Sequence, residues 1–91
     1  MKDRVFINCK EVPAAIGVYS QAVKCGDIVW LSGQIPLDPT SMTVVGDNVS
    51  EQGVRVQVNQ VFKNLKNLCI ASGGNLNDVV KINIFLISII F

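Results

Sequence analysis

Between Val54 and Cys69 the apolar residues keep to one side of a helix. Val54, Val58, Val61, Phe62, Leu65, Leu68 and Cys69 recur at intervals of three and four. A stripe with this period belongs to an amphipathic helix that has to lay one face on something apolar. Asn48 and Glu51 have capping-box spacing, which puts the helix start at Asp47-Asn48. Gly73-Gly74 supplies a stop. Lys63 and Lys66 fall towards the C-terminal end, where the helix dipole favours cations. Cys69 reads as a core thiol on the stripe, and Asn59, Asn64 and Asn67 read as a solvated face. This is the one convincing helix, so the surface that receives it has to come from strands.

Those strands are short. Arg4 to Asn8 alternates, with Val5 and Ile7 on one face. Tyr19 to Cys25 and Ile28 to Leu31 read as two strands joined at Gly26-Asp27, and a glycine-first two-residue link signals a type II′ hairpin. Glu11 to Val18 is a loop carrying Pro13 and Gly17. Leu37 to Gly46 is a turn-rich excursion with Asp38-Pro39-Thr40-Ser41 at its tip, and Met42 to Val45 adds a short strand. Past the helix, Asp78 to Leu86 reads as a last strand, and strand, helix and strand predict a right-handed βαβ crossover with parallel strands. Ile87 to Phe91 keeps the chain apolar to its last residue, an edge that calls for a pairing partner.

The 91 residues make one small domain, 49% hydrophobic and only 16% charged. Such a domain carries more apolar surface than one core hides, which predicts association with further copies of itself. A net charge of +1 without a basic run gives no nucleic-acid footprint. Cys9, Cys25 and Cys69 are odd in number and lack CxxC spacing, which fits reduced thiols in a cytoplasmic setting rather than a disulfide framework or zinc knuckle. No apolar tract reaches the roughly 20 residues that span a membrane, and no secretory leader follows Met1. Histidine is absent. That removes His-dependent triads and His-ligated zinc, and leaves a carboxylate, a tyrosine, a thiol, or backbone groups and bound water.

Trp30 to Pro39 is the stretch with a chemical look. An apolar strand runs into Ser32-Gly33-Gln34 and then into a proline-punctuated loop, which is how a rigid strand end presents backbone groups and a hydroxyl to a ligand. On pattern alone a plain strand exit is the better reading.

Two segments together resemble the RidA/YjgF family of reactive-intermediate (enamine/imine) deaminases. Ala14-Ala15-Ile16-Gly17-Val18-Tyr19-Ser20-Gln21-Ala22 is similar to that family's A-x-I-G-P-Y-S-Q-A, with Val18 in place of proline. Ser32-Gly33-Gln34-Ile35-Pro36 with Pro39 is the second match, and Val79-Val80-Lys81 followed by Ile84-Phe85-Leu86 continues it. The likeness covers about residues 10–86, and 87–91 form an atypical tail. It implies an α+β, chorismate-mutase-like domain, a mixed sheet packed on a long helix. It also implies a homotrimer with ligand clefts between subunits. The implied reaction hydrolyses a 2-enamine or 2-imine acid to a 2-keto acid and ammonia, with no metal or organic cofactor. By position, Tyr19 lines the cleft, and Ser32 and the Gly33 backbone meet the substrate or its water.

The family also uses an arginine, in an R-[ST]-x-V-like segment, to grip the substrate carboxylate, and a late glutamate to position water. Nothing in residues 1–91 matches either. The sequence therefore reads as the first two-thirds of the domain, as an early stop, a shifted frame or a cloned fragment would produce. Arg55, beside the stripe near the helix start, reads as a surface charge and no substitute. Two alternatives to an impaired deaminase follow: a trimer that binds small carboxylates without turning them over, and a degenerate fragment.

Overall fold

The computed structural model describes residues 3–86. Three strands, β1 (Arg4–Ile7), β2 (Ala22–Cys25) and β3 (Ile28–Leu31), form an antiparallel sheet in the order β1-β2-β3. The Cys25↔Ile28 pair closes β2 and β3 around Gly26-Asp27. Gly26 alone of these two residues has positive φ, 62°, as the first position of a type II′ turn requires.

The register sorts side chains onto two faces. Ile7, Ala22 and Leu31 are opposite one another, and Phe6, Val23 and Trp30 form the next row. Paired residues share a face and neighbours along a strand alternate. The first row looks inward: Ala22 joins Val12 and Leu68 in the core, with Ile7, Cys9, Val29 and Leu31 packed around them. The second row looks outward, and Phe6 and Trp30 stay 59% and 67% exposed.

The helix α1 covers Glu51–Ala71. Its start lies at Ser50, not at Asp47-Asn48. The Ser50 hydroxyl accepts from the Gly53 amide at 2.9 Å. Asp47 Oδ1 accepts from the Val49 and Ser50 amides and from the Ser50 hydroxyl, at 2.9–3.0 Å. This turn moves the cap downstream, and the third helical residue is then Gly53, which has no side chain to reach back. Glycine is needed there: a Cβ on Gly53 would overlap the Asp47 carboxyl. The bonds Asp47 accepts hold its carboxyl below the usual range, the Val49 amide most. A depressed folded pKa means the contribution is present above the unfolded value, about 3.9, and is lost as pH falls through the folded one. Helix content read by circular dichroism is therefore expected to fall on acidification below about pH 4. Asp47→Asn, which keeps the acceptor, should flatten that response; an unchanged profile would reject the cap.

At the other end Gly73 N–H donates to Ile70 O and Gly74 N–H to Cys69 O, with Gly73 at φ 94°. This is a Schellman stop, where the two glycines predict it. The last turn holds no basic residue, so Lys63 and Lys66 lie too early to act on the C-terminal carbonyls.

The buried line of α1 is rotated from the apolar stripe. Gly53, Asn64, Leu68 and Cys69 are buried, whereas Val58 and Phe62 remain 40% and 39% exposed. Asn64 is fully buried and Asn67 Nδ2 donates to Glu11 O at 3.4 Å, so the asparagines at 64 and 67 are not a solvated face.

Two strand expectations are corrected. Met42 to Val45 contributes one isolated bridge, Leu37↔Val44, because Asp38 Oδ1 accepts from Thr40 and Ser41 and curls the tip tightly. Beyond α1, a 3₁₀ turn at Leu76–Asp78 is capped by Asn75, which accepts from Asn77 N–H while Asp78 accepts from Asn75 N–H. This draws Asp78 out of any strand. Residues 79–86 run on without a ladder, so the described residues contain no parallel crossover. An alternating pattern does not by itself supply a sheet edge. The expected continuation through Ile87–Phe91 lies outside the described residues.

Candidate functional site

Two hollows meet at the end of β3. The larger is open and shallow, about 590 Å³, between the outer sheet face and the segment before β2. Phe6, Val23 and Trp30 form its floor, and Gly17, Val18, Tyr19 and Ser20 its side. The smaller is more enclosed, about 120 Å³, between the Pro13–Ile16 stretch and the exit loop Gly33–Leu37. Tyr19 and Ser32 line both, and Gly33 lines the smaller. The three residues singled out in the sequence thus converge although twelve or more positions separate Tyr19 from the other two.

Local bonds explain the convergence. Tyr19, Ser20 and Gln21 do not join the ladder, which starts at Ala22. Ser32 N–H donates to Gln21 O at 2.9 Å, and the Ser32 hydroxyl donates to Ser20 O at 2.5 Å. The Ser32 proton is therefore committed inside the chain, and its oxygen faces a ligand as an acceptor. The Tyr19 ring lies against Gly17, where a Cβ would come within 3.2 Å of it; the residue is half exposed. A Cβ on Gly33 would meet nothing within 4 Å, so the glycine leaves open space at the strand end.

Gln21 and Asn64 were not legible as site residues. Gln21 is 3% exposed. Its Oε1 accepts from Cys9 N–H at 2.6 Å, and its Nε2 donates to the carbonyls of Cys9, Val12 and Pro13 at 2.9–3.1 Å. Asn64 Nδ2 donates to Leu37 O at 3.0 Å and its Oδ1 accepts from Gln60 Nε2 at 2.9 Å. The signal for Asn64 was its spacing, three after Val61 and four before Leu68, on the inner side of the helix.

Burial, then the Glu11 charge, pushes the Cys9 thiol up, away from a thiolate nucleophile. Arg55 pairs with Glu51 at 2.8 Å on the helix surface, as a surface charge should. Neither Arg4 nor Arg55 lines a hollow. Among the described residues no cluster of three metal-ligating side chains occurs, and no helix is long and apolar enough to cross a membrane.

Comparison with known proteins gives the geometry its context. The family model Endoribonuclease L-PSP matches residues 9–90. The chain belongs to the RidA/YjgF family. A RutC family protein of Saccharolobus solfataricus is 44% identical over 86 residues, 94% of this chain and 63% of that protein. The crystal structure of RidA from an Antarctic Psychrobacter superposes with a TM-score of 0.73 at 46% identity, covering 84% of this chain and 57% of that one. E. coli TdcF, solved with bound serine, superposes at 0.71 and 32% identity, covering 81% and 54%. The chain thus spans less than two thirds of these relatives' length. The RidA likeness and the helix on its sheet bear out the α+β, chorismate-mutase-like fold.

Proposed function

We propose that this chain contributes one wall of a cleft, shared between copies in a homotrimer, that takes small 2-imino or 2-keto acids and hydrolyses the imine. The observation that carries this reading is the meeting of Tyr19, Ser32 and Gly33 at one strand end. The outer sheet row of Phe6, Val23 and Trp30 is where a second copy would complete the larger hollow; it is apolar and open. Serine bound in TdcF supports a small α-carboxylate as the ligand class.

The chemistry asks little of the protein. Water adds to the electrophilic carbon of a protonated 2-imine, and the adduct expels ammonia to leave the 2-keto acid. The chain has to hold the substrate and orient water. Tyr19 supplies a ring wall, Ser32 an acceptor oxygen, and Gly33 the room. Reduced cysteines suit a cytoplasmic setting, and no resident cofactor is needed.

The test generates 2-aminoacrylate in the presence of the protein and follows imine loss, with sedimentation reading the assembly. Three times the 9.9 kDa chain mass is expected. Gly33→Val should leave the melting temperature unchanged and reduce the rate at least about tenfold, or about 1.4 kcal/mol. A single-copy mass together with no acceleration over buffer would reject the reading.

A second reading is favoured by the arginines. Neither Arg4 nor Arg55 reaches a hollow, and a carboxylate clamp contributes charge-assisted bonds of about 1.5–3 kcal/mol each. The trimer would then bind 2-keto acids without turnover. Calorimetric heat with pyruvate alongside an absent imine rate would select it.

A further inference from the structure

The smaller hollow has two walls, and a buried carboxamide holds each: Gln21 on the Pro13 side and Asn64 on the Leu37 side. We propose that Gln21 is a positioning residue, setting the distance between the Pro13–Ile16 wall and Ser32; as a statement about ligand binding it rests on the function proposed above.

Gln21 is the residue in which both walls meet. Its side chain engages the 9–13 segment through one accepted and three donated bonds. Its main-chain carbonyl takes the Ser32 amide. An amide nitrogen has two hydrogens, so three carbonyls at 2.9–3.1 Å converge on two donors. The segment is thereby drawn in around one point. The segment's other side-chain tie is one longer bond, from Asn67 Nδ2 to Glu11 O at 3.4 Å; Pro13 has no N–H to donate, and the Val12 side chain is committed to the core. The opposite wall is held separately, by Asn64 on Leu37 O. Burial matters to the strength of this strap, because a carbonyl left without a donor in a dry setting costs more than a formed bond contributes. The segment has two ways to relieve such a loss, by moving out to water or by closing over the gap. Either one changes the hollow.

The experiment compares wild type with Gln21→Met, which keeps length and volume but offers no donor and only a weak acceptor. Leu68→Val serves as a control that loosens the packing around Val12 while leaving the Gln21 carboxamide in place. Amide exchange by NMR is read at Cys9 and Ser32, and pyruvate and L-serine are titrated by calorimetry. In wild type the Cys9 amide is expected to be as protected as the β2–β3 ladder amides. In Gln21→Met that protection should fall at least tenfold, and affinity for either probe should fall about tenfold, while Leu68→Val lowers stability and leaves affinity unchanged. A Cys9 amide in wild type that exchanges like an exposed loop overturns the proposal, even if the variant fails to fold. So does a folded Gln21→Met that binds as wild type does. If wild type binds neither probe, the function reading fails by itself, and the Cys9 protection in wild type and variant still decides the strap.

Discussion

Leu68→Ala is expected to destabilise the fold by about 2–5 kcal/mol, the range for a buried leucine truncated to alanine. For a domain whose total is about 5–15 kcal/mol, that removes a large share. The size of the effect follows from how little else holds the helix down. Leu68 is fully buried, and among the described residues the cluster it joins has only Val12 and Ala22 as its other buried members. Of the rest of the apolar stripe, Cys69 is buried but Val58 and Phe62 stay 40% and 39% exposed, so few side chains stand ready to fill the gap. A urea titration should show a lower midpoint with little change in slope. A loss under about 1 kcal/mol would mean that the helix is held elsewhere.

Asn64→Asp is expected to be nearly as costly at neutral pH, and almost silent in acid. The change is isosteric. A protonated carboxyl can still donate to Leu37 O and accept from Gln60, as the amide does. Once ionised it has only acceptors, aimed at a carbonyl in a site with no exposure. Breaking the complementarity of a buried group in this way costs about 3–5 kcal/mol. Burial disfavours the charged form, so the folded pKa of the new group lies above its unfolded value of about 3.9. Stability relative to wild type is then intact below about pH 4 and falls as pH rises towards the folded pKa. The melting-temperature difference between variant and wild type, scanned from pH 3 to pH 8, reads this directly. A difference flat across that range would show that Asn64 is not sealed from water.

Both substitutions bear on the same feature. Leu68 and Asn64 are the two fully buried side chains of α1 that meet the rest of the chain, and the Asn64 amide touches the loop that walls the smaller hollow. Site geometry and fold stability are coupled at Leu37, whose carbonyl takes Asn64 and whose side chain is buried.

Much of this was written locally. The type II′ hairpin at Gly26-Asp27, the body and glycine stop of α1, the tip at Asp38–Ser41 and the meeting of Tyr19 with Ser32-Gly33 could all be anticipated, because turns, stops and motif spacing depend on residues close in the chain or on a shared pattern. Three things could not. The cap moved to Ser50 because Asp47 found three donors nearby, a competition that residue types alone do not rank. The helix turned its inner side towards Asn64 because the facing surface is a loop carbonyl at Leu37, and a polar acceptor there favours an amide over another valine. Residues 79–86 made no ladder, since alternation states which faces a strand would have and leaves open whether an edge is within reach. Gln21 carries the same lesson: its four bonds reach back 8–12 residues, and only the folded path of the 9–13 segment brings those partners to it.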